Sequence, residues 1–403
     1  FIVHHGPRVQ GTRRLQKRAI MRQTARRLAQ VSEYYFSQKL REVRALIQQG
    51  HPVIQMGIGS PDLAPAPEVI QALQESLSDP MAHQYQSYQG LPELRSAISE
   101  FYHTHYDVLL DADTEVLPLM GSKEGIMHLS MAYLNEGDQV LIPNPGYPTY
   151  TSVTRLLGAE PVYYDLTAQN TWLPDFNALA AMDLSRVKIM WLSYPHMPTG
   201  AHATASDLQP LVDLAKSRGF LLAMDNPYSF ILNDHPMSIL SLQGAMEVAV
   251  ELNSLSKTAN MAGWRVGMIC GNQEHLKAVL QVKSNMDSGM FYGIQRGAIQ
   301  ALKSSTAWYD SLNQVYAHRR EKIWALADAL GCTYDTHAVG MFVWAQIPSG
   351  VENELDFVDQ LLYQHHIFIT PGSIFGSNGA GYVRFSLCLE ADLIDQAIQR
   401  IRS

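Results

Sequence analysis

The stretch that decides the fold is "ELNSLSKTANMAGWRVGMICG", residues 251–271. It begins as an apolar run, reaches Ser254, Ser256 and Lys257, crosses a link containing Asn260 and Gly263, and resumes as the strand-like "WRVGMICG". Between Glu251 and Glu274 there is no acidic residue, yet the segment holds Lys257, Arg265, Ser254 and Ser256. Two hydroxyls, a guanidinium and an ammonium at a strand end and the turn beyond it describe an anion site with an amine beside it. A lone lysine is ordinarily a solvated surface group; the donors sharing its segment argue for chemistry instead.

Outward from this segment, apolar runs alternate with helical patterns from residue 116 onward. The runs are "VLPLM", "QVLIP", "PVYYD", "VKIMWLSYP", "FLLAMDNPY", "MEVAVELNSLSK" and "WRVGMICG"; helical patterns such as "EGIMHLSMAYLN" and "ATASDLQPLVDLAKSRG" separate most of them. Apolar strands punctuated by helices predict an α/β layer fold around a mostly parallel sheet. The short link into "WRVGMICG" predicts one antiparallel strand. Upstream, residues 31–50 have helical periodicity that stops at Gly50, and residues 53–67 read as a short strand running into a Gly/Pro-rich segment. Downstream, one long helical stretch over about 293–330 leads into an α+β tail with a helix near 354–365 and the strand-like "YVRFSLC". The chain therefore divides into a basic extension (1–32), an N-terminal segment of a small domain (33–68), a large domain (69–300) and a C-terminal small domain (301–403).

Composition narrows the function. The chain has 403 residues, 46% of them hydrophobic, and a net charge of −8. Eight basic residues (Arg8, Arg13, Arg14, Lys17, Arg18, Arg22, Arg26 and Arg27) precede the first acid, Glu33, so the rest of the chain is more acidic than the total suggests. An acidic body argues against a nucleic-acid enzyme. The leader reads as an upstream extension, with Met21 a natural start. No apolar run approaches the roughly 18 residues of a membrane span. Cys270, Cys332 and Cys388 are far apart and odd in number, which fits neither a disulfide framework nor a metal site and predicts the reducing cytoplasm.

In open α/β sheets, ligands bind at the carboxyl ends of the parallel strands. "VLPLM" ends in Gly121-Ser122-Lys123 before a helix, where free backbone N–H groups and the positive dipole end suit a phosphate. "QVLIP" is followed by Tyr147, an aromatic at the rim, and "FLLAM" by Asp225, with Tyr228 three residues on. An aspartate after an apolar run is costly to bury unless it meets a cation. A phosphate cradle, a stacking aromatic, a carboxylate, a phenol and a lysine amine form the set that a planar pyridine aldehyde carrying a phosphate requires. Lysine forms the Schiff base, and the carboxylate keeps the ring nitrogen protonated so that the ring accepts electrons.

With these residues, the sequence resembles the class I/II aminotransferases, the fold-type I pyridoxal 5'-phosphate enzymes, over about 31–403. "SLSKTANMAGWRVG" is similar to that family's Ser-x-Ser-Lys…Gly-x-Arg-x-Gly segment, "DNPY" to its Asp-x-x-Tyr pair, and "YQSYQGLPELR" to its Tyr-x(4)-Gly-x(3)-Leu-Arg element. The resemblance implies a seven-stranded, mostly parallel sheet in the large domain and a smaller α+β domain. It implies that Lys257 holds pyridoxal 5'-phosphate and shuttles a proton. Asp225 would pair with the pyridinium nitrogen, Tyr228 would hydrogen-bond the phenolate oxygen and Tyr147 would stack on the ring. Gly121, Ser122, Lys123, Ser254, Ser256 and Arg265 would surround the phosphate, Lys123 through its backbone N–H. Tyr85 would reach the phosphate of a neighbouring subunit, implying a homodimer with shared sites. Arg384 would bind the substrate α-carboxylate as a bidentate fork, assisted by backbone near Ile58 and Gly59. The implied substrates are an L-amino acid and a 2-oxo acid, with no metal, nucleic acid or membrane partner. His83 and His196 read as spectators, since Lys257 already serves as the base.

One element departs from that pattern. The family usually carries Asn-Pro-x-Asn-Pro-Thr-Gly, whose second Asn donates to the cofactor's phenolic oxygen; here residues 194–200 read "YPHMPTG", placing Met197 there. A thioether cannot donate a hydrogen bond. The expectation is that Tyr228 carries the phenolate contact largely alone and that the Schiff-base pKa is raised. Two rival readings use the same residues: a C–S β-lyase on this scaffold, and the effector half of a pyridoxal-phosphate-binding transcription regulator. The 32-residue leader is too short for the latter's winged helix-turn-helix domain.

Overall fold

A seven-stranded sheet dominates the computed structural model, which describes residues 23–31 and 35–403. Most of the basic extension read from the sequence lies outside the described residues. The strands, in chain order, are β1 (Ile54–Gln55), β2 (Val116–Leu119), β3 (Gln139–Asn144), β4 (Glu160–Asp165), β5 (Val187–Leu192), β6 (Leu221–Asp225), β7 (Ala249–Ser254), β8 (Gly267–Gly271), β9 (Thr333–Tyr334), β10 (Phe342–Gln346), β11 (Ile367–Phe368), β12 (Thr370–Pro371) and β13 (Tyr382–Ser386). The large sheet runs β2-β8-β7-β6-β5-β3-β4. Strands β3 to β7 pair in parallel, whereas β8 runs antiparallel to both β7 and β2. The mostly parallel α/β sheet expected from the sequence is therefore present, with its one reversed strand where the short link predicted it.

Strands covered by helices on both faces need apolar side chains throughout, and β6, β7 and β8 are buried at every position. β4, at one edge, is largely exposed, and Pro118 sits in β2 at the other edge, where a missing N–H is tolerated. Because β2 runs with β7, the ends of β2, β3, β5, β6 and β7 all reach the same edge of the sheet. The chain winds from β3 to β4 in one direction and returns past β3 to β5, so the strand order reverses at this edge.

A second, antiparallel sheet has the order β12-β13-β10-β9, and β1 pairs in parallel with β11. Its core joins Ile54 and Met56 to Phe342, Trp344, Phe385 and the helices Thr306–Ala329 and Ala391–Arg402. The single helical stretch expected over about 293–330 is instead two helices, Tyr292–Leu302 and Thr306–Ala329. Ser304 and Ser305 explain the break, since serine competes for backbone hydrogen bonds and favours the N-cap, which Ser305 occupies. Among the described residues, no helix is long and apolar enough to cross a membrane.

Packing against the large sheet leaves one ion pair almost dry. Lys283, the last residue of the Gln273–Lys283 helix, donates to both oxygens of Asp287 at 3.0 and 2.8 Å, and the two side chains are 2% and 6% exposed. Removing one partner strands a buried charge. Asp287→Ala should lower unfolding free energy by about 3 kcal/mol in urea titrations, while the paired apolar change Lys283→Met with Asp287→Leu should cost much less.

Candidate active site

The carboxyl edge of the large sheet and the second sheet enclose a cavity of about 440 Å³. Ile58, Gly59, Ser122, Lys123, Tyr147, Asp225, Tyr228, Ser254, Ser256, Lys257, Arg265 and Arg384 all line it, so twelve residues singled out in the sequence converge from the ends of β2, β3, β6 and β7, the link into β8, the segment after β1 and the facing β13. Gly121, the remaining residue of the expected phosphate cradle, is not among the lining residues but directly precedes Ser122 and faces Arg265. Tyr85 does not join the cavity: it is 90% exposed on the outer surface, and the nearby His83 is exposed as well.

One end of the cavity is a cup of hydrogen-bond donors. The Ser122–Tyr133 helix starts there, with Gly121 at its N-cap in the left-handed region (φ 91°). A Cβ on Gly121 would lie 2.2 Å from Arg265 Nη2, and one on Gly267 would lie 2.6 Å from Ser122 N, so glycine lets the guanidinium and β8 close over the helix start. Ser254 Oγ donates to Ser256 Oγ at 2.9 Å and caps the short turn Leu255–Thr258 that carries Lys257.

The opposite end is drier. Asp225, at the end of β6, accepts from the Tyr150 hydroxyl at 2.9 Å through Oδ2, while its buried Oδ1 has no hydrogen-bond partner among the described residues. Burial pushes the Asp225 carboxyl up to about 6, against the lowering effect of the Tyr150 bond. Tyr150 is itself stacked on Trp191, with ring centres 4.7 Å apart. Burial also raises the Tyr228 phenol, an effect that the Arg384 charge opposes.

Lys257 Nζ donates to the carbonyl of Gly59. Burial pulls its pKa below the ordinary lysine value; Cys388 opposes the change, and the charges of Arg384 and Arg265 add to it. In β13, opposite Trp344, Arg384 places its guanidinium carbon 4.0 Å from the Phe342 ring centre and 4.8 Å from that of Phe375. Its Nη2 donates to Gly57 O at 2.9 Å, and its Nη1 contacts Met197 Sδ at 3.2 Å. A Cβ on Gly59 would come 2.4 Å from Phe342 Cζ, which explains why residues 57–59 can lie flat between the phenyl ring and the lysine. Met197 lines the cavity from a turn with cis bonds at Pro195 and Pro198. The adjacent His196 is buried, which lowers its pKa to about 3, and its Nδ1 pairs with Thr199 Oγ1 at 2.8 Å.

Sequence reasoning missed Tyr150, Phe342 and Phe375. The first was visible as the second tyrosine of "NPGYPTY"; the phenylalanines look like ordinary core residues. Elsewhere, Glu124, His128 and Asp287 bring three potential metal-ligand atoms within 4.8 Å of one another, but Lys283 already supplies a cation to both oxygens of Asp287.

These residues fit pyridoxal 5'-phosphate. The cup offers the donors a phosphate needs, Asp225 Oδ1 is a buried acceptor awaiting a cation such as a protonated ring nitrogen, and a lysine of lowered pKa lies between them. The comparisons agree. The family model described as aminotransferase class I and II matches residues 51–401. The LL-diaminopimelate aminotransferase of Nitratidesulfovibrio vulgaris is 36% identical over 94% of this chain and 98% of its own length. That of Aquifex aeolicus is 37% identical, again over 94% and 98%. The structure of BacF from Bacillus subtilis superimposes with a TM-score of 0.91 at 35% identity, covering 95% of this chain and 98% of that one.

Closing the cup depends on a bare backbone at Gly121. Gly121→Ala should weaken binding of pyridoxal 5'-phosphate at least about tenfold in calorimetric titration, because the added methyl meets Arg265 and the residue is forced into a strained φ.

Proposed function

This chain belongs to the class I and II aminotransferases, which use pyridoxal phosphate to move an amino group between an amino acid and a 2-oxo acid, and we propose that its cavity performs this exchange with Lys257 as the working amine. The observation that carries this reading is the company Lys257 keeps: a carbonyl partner, lowered basicity, and Asp225, Tyr228 and Arg384 in the same cavity.

When bound, pyridoxal phosphate supplies an electron sink for the pair left at the substrate Cα. Asp225 would keep the ring nitrogen charged, Tyr228 would donate to the phenolic oxygen, and Tyr147 would lie beside the ring. Ser122, Ser254, Ser256, Arg265 and the backbone of Gly121 and Lys123 hold the phosphate. Arg384 grips the α-carboxylate as a two-pronged fork, with the backbone of Ile58 and Gly59 beside it. This grip would aim the Cα–H bond toward Lys257, whose amine would take the proton from Cα and hold it for return.

The assembly we propose is a homodimer with shared sites. Tyr85 is nearly fully exposed, and the apolar Met81, Tyr88, Met286 and Phe291 are exposed too, on two segments that meet where Gly289 packs on Gln86 and Tyr292 donates to Asp79, a surface suited to a second copy whose phosphate Tyr85 would reach. The three cysteines are free thiols, in keeping with a cytoplasmic enzyme.

For the donor, we propose LL-diaminopimelate or a similarly long amino acid with a polar far end. The curated relatives support it, as does a second cavity of about 490 Å³ that shares the Tyr147 and Phe375 walls and is lined by Asn144, Thr151, Ser152 and Arg155. Single-turnover screening of amino acids, read as loss of the bound cofactor's visible absorbance, should respond most strongly to LL-diaminopimelate; a faster response to short apolar amino acids overturns the substrate reading. Lys257→Ala should abolish both the absorbance band and turnover. Pyruvate and ammonia released without a 2-oxo acid would mark a lyase instead. Met197→Asn adds a donor to the phenolic oxygen, so the pH midpoint of the absorbance change should fall by about one unit; an unchanged or higher midpoint contradicts it.

A further inference from the structure

Glu251 lies in β7 opposite Met224 of β6, one strand from Asp225, and is fully buried. Its carboxylate accepts four hydrogen bonds. Oε1 takes the Tyr102 hydroxyl at 2.9 Å and Asn226 Nδ2 at 3.3 Å; Oε2 takes the Ser238 hydroxyl at 2.8 Å and the Ile239 N–H at 2.9 Å. Asn226 directly follows Asp225, and its Nδ2 also donates to Met237 O at 2.9 Å. Residues 226–239 therefore form a loop whose two ends meet at one carboxylate, and Tyr228 lies within it.

We propose that Glu251 is a positioning residue for transamination, fixing Asp225 and Tyr228 by clamping both ends of the loop between them. The inference rests on the reading that Asp225 and Tyr228 hold the cofactor. All four contacts are donors, so they suit an ionised, acceptor-only group. Burial pushes the carboxyl up to about 7 even so, against the pull of Ser238, Ile239, Tyr102 and Asn226. Burial makes this carboxylate costly, and its four buried donors, the Ile239 N–H among them, depend on it as their shared acceptor.

Glu251→Gln keeps the shape but turns an N–H group toward donors. The hydroxyls of Tyr102 and Ser238 can rotate away; the Ile239 N–H and the Asn226 amide cannot, so one end of the loop is released. In the holoenzyme, the pH midpoint of the cofactor absorbance should rise by about half a unit as Tyr228 loses its aim. kcat should fall about tenfold, with the amino-acid KM, governed by Arg384, within about twofold. Tyr228→Phe is the reference. If it leaves the midpoint unmoved, the cofactor reading fails. If it raises the midpoint while Glu251→Gln lowers only the melting temperature, the positioning role is overturned. Should Glu251→Gln fail to fold, Ser238→Ala removes a single donor and should give a smaller rise of the same sign; no rise then overturns the inference.

Discussion

Asp225 spends one oxygen on Tyr150 and keeps the other buried, facing the cavity without a partner among the described residues. A carboxylate in that position tends to protonate, and burial does raise its pKa. The same dryness acts in the opposite direction on Lys257, whose ammonium form it disfavours. Two groups of opposite sign in one cavity are thus both pushed toward neutrality, and neither relieves the other by pairing. A ligand that brings a cation to Asp225 and an electrophilic carbon to Lys257 resolves both, which is what a protonated pyridine aldehyde does. The remaining contacts hold this pair at the right separation.

That separation is set where the two sheets touch. Gly146 N donates to Phe375 O, Val339 N to Gly200 O and Gly340 N to Ile231 O, each at 2.8 Å. These backbone bonds leave little freedom for the loops that follow β3, β5 and β6. Residues 57–59 complete the closure, bonded to Arg384 and Lys257 on one side and pressed against Phe342 and Phe368 on the other. Phe342 serves twice, since the ring that limits Gly59 also lies under the Arg384 guanidinium. Stacking on aromatic faces suits the weakly hydrated guanidinium.

Much of this was legible in the sequence because polar residues at the ends of apolar strands are conspicuous. Ser122, Asp225, Ser254 and Lys257 each interrupt a run that otherwise reads as core. Tyr150, Phe342 and Phe375 carried no such signal, since an aromatic that orients a charge has the same pattern as one that only fills space. Glu251 stood in the opening stretch as the last acid before a basic segment. Its partner Tyr102 is 149 residues away and Ser238 lies across a loop, so no helical or strand spacing could reveal the clamp. The gap at residues 303–305 was missed for the opposite reason: helical periodicity continues in phase across a break of only three residues.

The molecule contains its own controls for the lowered pKa of Lys257. Lys39 is also buried, which alone would depress its pKa, yet the hydrogen bonds it donates to Asp359 and Glu42 raise it well above the ordinary value. Lys283 is buried too, against both oxygens of Asp287. Both of those lysines have carboxylate partners, and for Lys39 the pairing favours the ammonium ion. Lys257 has a carbonyl, which accepts a hydrogen bond without supplying a neutralising charge, and its charged neighbours include two arginines. Burial is common to all three; the partner differs. The lowered pKa of Lys257 therefore depends less on burial, which Lys39 shares, than on the anion the chain withholds from it.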